Sequence, residues 1–201
     1  TGNTLTKESV TRSANLGADG FRHNIGCGSV CTTYNMTGVG CPNITAAYFG
    51  WKGIRNWELN NNDFKKPQKR PSLLMDGGIK EAGDLAKAIS AGADAVICGR
   101  IFAGCSETPG KYEIKDGQAY KLFRGMASQS ILEDNNLWDG KKENLFVEGK
   151  EEYVEANGQS CRDIVIEFCN GLRSAMSYLG FSKIEEMRGG LWNGKIKAVL
   201  L

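Results

Sequence analysis

A short glycine-rich segment carries the residues whose types and spacing are best suited to chemistry. It reads Gly26-Cys27-Gly28-Ser29-Val30-Cys31-Thr32-Thr33 and follows a short run of strand-forming residues. Glycine permits positive φ and close approach of the backbone, so such a turn can direct several peptide groups at one ligand. A cysteine held there becomes a nucleophile where N–H groups or a cation stabilise its thiolate. The alternative is that Cys31 is a buried small hydrophobic residue, the usual situation of a free cysteine.

Only one histidine is available in this chain for acid–base chemistry. The single histidine, His23, lies in an apparent strand just before the glycine turn. A histidine in a strand is more often a packed residue than a base, so proton transfer would fall to carboxylates, an activated water, threonine or arginine. The histidine pairs of typical catalytic zinc sites are absent, and no Cys-x-x-Cys motif occurs.

Composition and charge narrow the class of protein. The 201 residues are 41% hydrophobic and 24% charged, which is typical of one soluble globular domain. A net charge of +2 with interspersed signs gives no reason to expect nucleic acid or a membrane as partner. We find no apolar stretch near the roughly 20 residues that span a bilayer, and no signal-peptide pattern. Seven cysteines without a regular framework suit a reducing compartment, so we expect a cytoplasmic protein.

The elements that would position the glycine-rich segment form a weak repeat. A helical pattern at residues 10–16 ends at Gly-Ala-Asp and leads into a strand at residues 20–24. A second helix at residues 84–91 ends at another Gly-Ala-Asp and leads into a strand at residues 95–98. The same unit of helix, buried strand and polar turn therefore occurs twice, which indicates parallel β/α units.

Two further strand ends carry residues suited to phosphate. An apolar strand at residues 72–75 runs into Asp76-Gly77-Gly78, and the strand at residues 95–98 runs into Gly99-Arg100. In a (β/α)₈ barrel the chemistry lies on the loops after the strands, and a phosphate site commonly forms after strands seven and eight. Tight turns alone would explain either motif, but the two together beside the cysteine turn favour phosphate binding. We therefore predict an α/β fold of the (β/α)₈ TIM-barrel type.

The strands are too few for a closed barrel. Three are evident before residue 100, with residues 1–6 interpreted as the loop after another, whereas a closed barrel needs eight. We expect residues 1–201 to form a single catalytic portion covering about the C-terminal half of the barrel. The missing strands would belong to a longer parent protein or to a partner chain. Residues 51–70 are interpreted as an extended helix-to-strand connection with an insertion.

The second half of the chain lacks the β/α pattern of the first half. Residues 112–114 and 119–123, joined through Asp-Gly, are predicted to form a hairpin. A polar stretch follows, so residues 111–160 are assigned as a hairpin and flap excursion, the polar part being either a surface loop or a mobile flap. Residues 163–179 form the last long helix, which ends at Gly180.

These motifs together resemble the IMP dehydrogenase/GMP reductase family. The cysteine segment, continued by Thr37-Gly38-Val39-Gly40-Cys41-Pro42, resembles the family's active-site loop, whose cysteine attacks C2 of a purine nucleotide. Residues 75–78 resemble the family's phosphate and ribose site, and residues 98–104 with 107–110 resemble the loop after strand eight. Residues 121–126 resemble the segment that closes over the base, and residues 171–176 resemble the C-terminal helix.

The resemblance implies roles for individual residues. Cys31 would be the nucleophile, Thr33 would lie beside the thiol, and Gln129 would stand where the reductase branch has a glutamate that helps ammonia leave. The nucleotide would be bound by Ser29, Asp76, Gly77, Gly78, Gly99, Arg100, Gly125, Met126 and Glu148. The dinucleotide would be bound by Asn24, Ala127 and Ser128, and K⁺ by carbonyls of Gly26, Gly28 and Cys31.

Some positions depart from the family pattern. Gln129 is an amide, which cannot exchange a proton near neutral pH as a carboxylate can. Asn24 stands where the family usually has glycine, Tyr34 where arginine is common, and Arg100 where a small residue is usual. A guanidinium at that last position suits phosphate.

The choice between branches depends on residues 129–148. The dehydrogenase branch hydrolyses its intermediate with a long flap carrying an Arg-Tyr pair, whereas this segment is short and has no such pair. We therefore expect reductive deamination of GMP to IMP by NADPH, through a cysteine thioimidate at C2.

Two alternatives remain open. The first is an NAD-dependent IMP dehydrogenase, which Arg22 and Arg124 favour. The second is a catalytically impaired nucleotide-binding subunit, which Gln129 and the apparent half-barrel favour. In each case the resemblance implies a purine nucleoside monophosphate as ligand and a homo-tetramer as assembly.

Overall fold

A parallel sheet of four strands organises the first half of the chain. The computed structural model describes residues 1–61, 69–138, 141, 146–156 and 158–198. The strands lie side by side in chain order: β1 Gly2–Thr4, β2 Gly20–His23, β3 Ser72–Asp76 and β4 Ala95–Ile97. Within the described residues this sheet does not close on itself.

Helices connect these strands and cover the sheet. In chain order they are α1 Lys7–Asn15, α2 Thr33–Thr37, α3 Asn43–Asn60, α4 Ala82–Ser90 and, after β4, α5 Arg100–Ala103. Each connection brings the chain back parallel to the previous strand, which is the β/α pattern predicted from the repeat. None of the helices in the described ranges is long and apolar enough to cross a membrane.

The core lies between the sheet and its helices. Phe21 of β2 and Leu73 of β3 pair in register and are completely buried, as is Ile54 of α3. Two glycines allow α3 to approach its neighbours closely. A Cβ at Gly50 would lie 2.7 Å from a Leu73 methyl carbon, and one at Gly53 would lie 2.7 Å from the Lys7 carbonyl oxygen.

A smaller antiparallel sheet follows. Its strands, in order, are β5 Tyr112–Lys115, β6 Gln118–Arg124 and β7 Glu151–Glu155, with helix α6 Gln129–Asp134 between β6 and β7. The predicted hairpin is confirmed, since β5 and β6 are joined by Asp116 and Gly117 at φ of 51° and 79°, the two positive angles of a tight hairpin turn.

Two helices complete the chain. Helix α7 spans Cys161–Leu179, begins after Ser160, whose hydroxyl caps the Asp163 amide at 3.1 Å, and packs against α4. It ends at Gly180 with φ 75°, as the sequence predicts. The short helix α8, Ile184–Met187, follows and buries Met187.

Two interpretations of the sequence are wrong. Residues 1–6 are not a loop after a strand, because Gly2–Thr4 is itself a strand paired with β2. Residues 51–60 are not part of a helix-to-strand connection, because they continue the eighteen-residue helix α3. The remainder of that predicted connection includes residues 62–68, which lie outside the described residues.

Candidate active site

The turns after β2, β3 and β4 meet at one edge of the parallel sheet. The Gly77 amide, just after β3, donates to the Ile97 carbonyl at the end of β4 at 3.2 Å. A Cβ on Gly77 would lie 2.8 Å from the Gly28 nitrogen, so glycine is needed for the turns after β2 and β3 to touch. The cysteine turn and the motifs that begin at Asp76 and Gly99, which follow three different strands, therefore lie together at the carboxyl ends of those strands.

Cys31 lies in the turn after β2 with a hydroxyl beside its thiol. Its Sγ donates to Thr33 Oγ1 at 3.3 Å, and its amide donates to the Gly28 carbonyl at 3.1 Å. Thr33 is the first residue of α2, so the helix fixes the hydroxyl next to the sulfur. The thiol is half-buried, which leaves it open to a ligand. The arrangement suits a nucleophile whose proton is exchanged through a neighbouring hydroxyl.

Backbone hydrogen bonds attach the cysteine turn to the segment before β7. Thr32 N donates to the Glu148 carbonyl and Lys150 N to the Val30 carbonyl, both at 2.8 Å. Cys31 and Gly149 accordingly form an isolated antiparallel bridge. We call residues 30–32 with residues 148–150 the cysteine tether. It connects the catalytic candidate to the antiparallel sheet.

The segment after β6 closes on the same tether. The Gly125 amide donates to the Lys150 carbonyl at 3.0 Å, and the Glu148 amide donates to the Ala127 carbonyl at 3.2 Å. A Cβ on Gly125 would lie 2.7 Å from the Val30 carbonyl oxygen. Gly125, Ala127 and Glu148, all predicted ligand residues, thus lie around the cysteine turn through backbone contacts.

Asp76 is held by two side chains that the sequence analysis did not join to it. Arg22 Nε and Asn3 Nδ2 donate to its Oδ2 at 2.8 and 3.0 Å. No hydrogen bond to Oδ1 is found within the described residues. No local sequence signal joins these residues, because Asn3 and Arg22 come next to Asp76 only when β1 pairs with β2 and β2 with β3.

Two buried hydroxyls at the site have no partner among the described residues, namely Ser29 Oγ and Ser128 Oγ. Buried hydroxyls in native proteins are nearly always hydrogen-bonded, so each needs a group that the chain does not supply. Ser29 lies in the cysteine turn, and Ser128 precedes α6 without capping it. Their unmet hydrogen-bonding capacity fits the ligand roles predicted for them.

Asn24 supports the turn with its own side chain. It is completely buried with φ 97°, a conformation that glycine adopts without strain. Its Nδ2 donates to Asn43 Oδ1 at 2.7 Å and to Cys27 Sγ at 3.1 Å, while its Oδ1 accepts the Ile25 amide at 2.8 Å. These bonds compensate for the strained backbone and direct the amide away from a role at the surface of the site.

Of the other predicted site residues, Gln129 and Arg100 are hydrogen-bonded to partners of their own, and Met126 is exposed. Gln129 is exposed and donates to Glu133 Oε1 at 2.8 Å, and no described hydrogen bond joins it to Thr33. Arg100 Nε donates to Glu152 Oε1 at 2.7 Å. Met126 is 82% exposed. In this structure the site therefore lacks the threonine–glutamine contact that a relay would use.

His23 is a packed residue, as the sequence predicts. It is completely buried, and its ring nitrogens lie 2.8 Å from Thr4 Oγ1 and 2.8 Å from the Ala46 carbonyl oxygen. Because a carbonyl can only accept, Nε2 carries the proton and Nδ1 accepts from the threonine hydroxyl. Burial lowers the pKa of His23. The neutral imidazole joins β1, β2 and α3 beneath the site.

Known proteins resemble this chain over nearly its whole length. Residues 1–198 match the model of the IMP dehydrogenase / GMP reductase domain. The chain is 35% identical over 191 residues to inosine-5'-monophosphate dehydrogenase of Aquifex aeolicus, covering 93% of this chain and 36% of that protein. It is 37% identical over 191 residues to the enzyme of the same name from Cryptosporidium parvum, covering 92% and 44%.

The chain belongs to the IMP dehydrogenase/GMP reductase domain family. A third relative, the inosine-5'-monophosphate dehydrogenase of Borreliella burgdorferi, is 35% identical over 193 residues, which is 93% of this chain and 45% of that protein. The chain thus spans less than half of the length of these curated relatives.

Proposed function

We propose that the protein carrying this chain is a purine-nucleotide oxidoreductase that oxidises IMP to XMP with NAD. The hydrogen bond between Cys31 Sγ and Thr33 Oγ1, at the edge where three glycine turns meet, carries the proposal. The names of the relatives favour the dehydrogenase, which the sequence analysis kept as an alternative, over the GMP reductase that it preferred.

The nucleotide would be held by groups at the ends of β2, β3 and β4. Ser29 Oγ needs a partner and would donate to phosphate, beside the amides of Gly77 and Gly78. Asp76 is fixed by Arg22 through Oδ2, which leaves Oδ1 to accept ribose hydroxyls. Gly99 and Arg100 would complete the phosphate site, while Gly125, Met126 and Glu148 would meet the base.

Cys31 would then attack C2 of the purine. The sulfur would form a bond to C2 while its proton passes through the Thr33 hydroxyl to N3 of the purine, where the C2–N3 double bond becomes single. NAD, when bound, accepts the hydride that leaves C2. Water then adds to C2, the carbon–sulfur bond breaks, and XMP and the free thiol are restored with release of one proton. The tether between residues 30–32 and 148–150 would keep the sulfur in place during both steps.

The implied cofactors find suitable donors in this chain. Ser128 Oγ is buried without a partner among the described residues and would bond to the dinucleotide, together with Ala127 and Asn24. K⁺ prefers uncharged hard oxygen donors, and the carbonyls of Gly26, Gly28 and Cys31 belong to one turn. That donor set fits a monovalent cation, which would stiffen the cysteine turn.

The four parallel strands would form about half of a (β/α)₈ barrel. In the described sheet, β1 and β4 each pair on one side only, which is what strands at the boundary of a half-barrel require. Residues 1–201 would then be one catalytic portion, with residues 111–160 as an excursion from it. The remaining strands would come from the rest of the protein or from a partner, within a cytoplasmic homo-tetramer.

A GMP reductase is the second candidate. Residues 129–148 lack the Arg-Tyr pair expected for hydrolysis of the intermediate. In that reaction Cys31 would add to C2 of GMP, ammonia would leave with a proton from Thr33, and NADPH would supply the hydride. The third candidate is a catalytically impaired nucleotide-binding subunit. It is favoured because Gln129 bonds to Glu133 and not to Thr33.

Parallel assays of the full protein separate these functions. We would measure XMP formed from IMP and NAD, and IMP formed from GMP and NADPH, by chromatography. Peptide mapping after acid quench would locate the nucleotide adduct. XMP formation with an adduct on Cys31 is the expected result. IMP formed from GMP would instead establish the reductase, and nucleotide binding without either product would establish the impaired subunit.

A further inference from the structure

A second group of ligating side chains lies where the chain leaves α5 and where α7 begins. One atom each from Cys105, Glu107 and Cys161, the two sulfurs and a carboxylate oxygen, lie within 4.8 Å of one another. It is the one such group of three found among the described residues. Cys105 is 2% exposed, Cys161 is half-buried and Glu107 is exposed. The group is therefore closed on the protein side and open to water on the other.

The carboxylate of this group is already oriented by hydrogen bonds. The Cys161 amide, in the first turn of α7, donates to both Glu107 oxygens at 3.1 Å, and Ser106 Oγ donates to Oε2 at 2.9 Å. Carboxylates that bind metals are commonly fixed by such outer hydrogen bonds. The amino end of a nineteen-residue helix also stabilises negative charge on both Glu107 and Cys161.

A buried cation beside the group has no anionic partner among the described residues. Lys121 is 2% exposed, and its Nζ donates to the carbonyls of Cys105 and Thr108 at 2.6 Å each. No carboxylate lies within ion-pair distance of it in the described part of the chain. A buried charge without a counter-charge is costly. Two thiolates and Glu107 with a divalent cation would carry one net negative charge, which the Lys121 ammonium balances.

We propose that Cys105, Glu107 and Cys161 bind a divalent cation of the zinc type, with water as fourth ligand. Zn²⁺ accepts thiolate and carboxylate ligands in tetrahedral sites. Zn–S bonds of about 2.3 Å place two sulfurs about 3.8 Å apart, so small side-chain rotations close the group around the ion. The bound ion would fasten the first turn of α7 to the loop after α5, the helix that begins at Arg100. This inference does not depend on the proposed reaction.

Binding would displace protons. Burial and the hydrogen bond with Cys161 raise the pKa of Cys105 to about 11, so in the absence of a metal this thiol is protonated at neutral pH. As each sulfur binds the ion, its proton passes to solvent. Zinc affinity should therefore rise with pH, with Cys161, Glu107 and Lys121 as the ionisable groups that face Cys105.

The test compares variants of the full protein, made metal-free and kept reduced with a phosphine. Zn²⁺ is titrated against a chromogenic chelator, and Co²⁺ is added separately to record thiolate-to-metal absorption. We expect Cys161→Ser to lower zinc affinity by about 100-fold and Glu107→Gln by about 10-fold. Cys169→Ser is the matched control, because Cys169 is a half-buried cysteine further along α7, and it should bind like the parent.

Cys161 and Glu107 are chosen because both reach solvent, and circular dichroism would verify that their variants fold. Zinc should also raise the melting temperature of the parent and of Cys169→Ser but not that of Cys161→Ser. Equal zinc affinity of the parent and Cys161→Ser would overturn the proposal. So would the absence of thiolate-to-cobalt absorption, or a parent protein whose Cys105 and Cys161 are joined as a disulfide under the reducing conditions.

Discussion

The parallel and antiparallel sheets of this protein are stabilised by different interactions. In the parallel sheet, Phe21 and Leu73 are completely buried and Met75 is 2% exposed, because helices cover the strands. In the antiparallel sheet, all four residues of β5 are exposed, and Lys121 is the one residue of β6 that is buried. Apolar burial therefore stabilises the first sheet, whereas the second depends on strand pairing and on its connections to the first.

The proposed nucleophile depends on both sheets. Cys31 lies on a turn of the parallel sheet, yet its neighbours Val30 and Thr32 are hydrogen-bonded to residues next to β7. The stable sheet thus provides the loop, and the exposed sheet fixes its position. Perturbing the two sheets should accordingly affect stability and activity differently.

The largest effect should follow from removing the proposed nucleophile, Cys31, where the sheets meet. Cys31→Ser should lower kcat by roughly 10⁴-fold or more, because the hydroxyl is a far weaker nucleophile than the thiolate. Steady-state kinetics would measure the loss, and the melting temperature should not change. Cys98→Ser, at the end of β4, is the control and should keep its activity. An active Cys31→Ser protein would refute covalent catalysis at this residue.

Matched truncations in the two sheets should separate their contributions to stability. Phe21→Ala removes a completely buried ring and should lower the free energy of unfolding by about 3–5 kcal/mol. Ile114→Ala, in β5 at 69% exposure, should change it by about 0.5 kcal/mol or less. Urea denaturation followed by fluorescence would measure both. Similar losses at the two positions would mean that the antiparallel sheet contains a core of its own.

Gly125→Ala should damage activity more than stability. The added Cβ would lie 2.7 Å from the Val30 carbonyl oxygen, so residues 30–32 and the segment after β6 must separate. A displacement of about 1 Å at the catalytic group costs about 100-fold in kcat. Gly83→Ala is the control, because no atom lies within 4 Å of its Cβ, and it should retain full activity. Equal kinetics for the two variants would show that the tether does not position Cys31.

The smallest effect is a pH dependence carried by His23 of the parallel sheet. Burial lowers its pKa from 6.5, so below about pH 6.5 the unfolded chain binds a proton that the folded chain does not. Stability should therefore be greatest above pH 6.5 and should fall as the pH drops towards the lowered value. Melting temperatures between pH 7.5 and 5.5 would record this step. Because the chain has one histidine, His23→Gln should flatten the profile in that window.

Local patterns were sufficient to predict most elements of the parallel sheet. The apolar strands and the Gly-Ala-Asp endings lie within a few residues of one another in sequence, and they correspond to β2, β3, β4, α1 and α4. Helix α3 was misjudged because Gly50 and Gly53 weaken helix propensity, and their value lies in close packing against Leu73 and Val10. Strand β1 has three polar or small residues, so only its pairing with β2 identifies it.

The features of the site fall into the same two groups, those that a local pattern predicts and those that depend on packing between distant segments. The turn around Cys31 and the motif at Asp76 could be recognised because each is continuous in sequence. The cysteine tether, the Arg22–Asp76 pair and the group at Cys105 and Cys161 could not, because their members are far apart in the chain and form only when strands and helices pack. Strand β7 was missed for the same reason, since it is defined by its pairing with β6.

The hydrogen bond from the Glu148 amide to the Ala127 carbonyl joins the two ends of the segment at residues 127–148. For a segment with fixed ends, the entropy of loop closure grows only with the logarithm of its length, and doubling the length costs about 0.6 kcal/mol. The backbone bonds at Val30 and Thr32 are made to residues 150 and 148, which do not lie between these ends. Lengthening a loop between these ends would therefore add little to the entropic cost of closing it, and the bonds that hold the cysteine turn lie outside that loop.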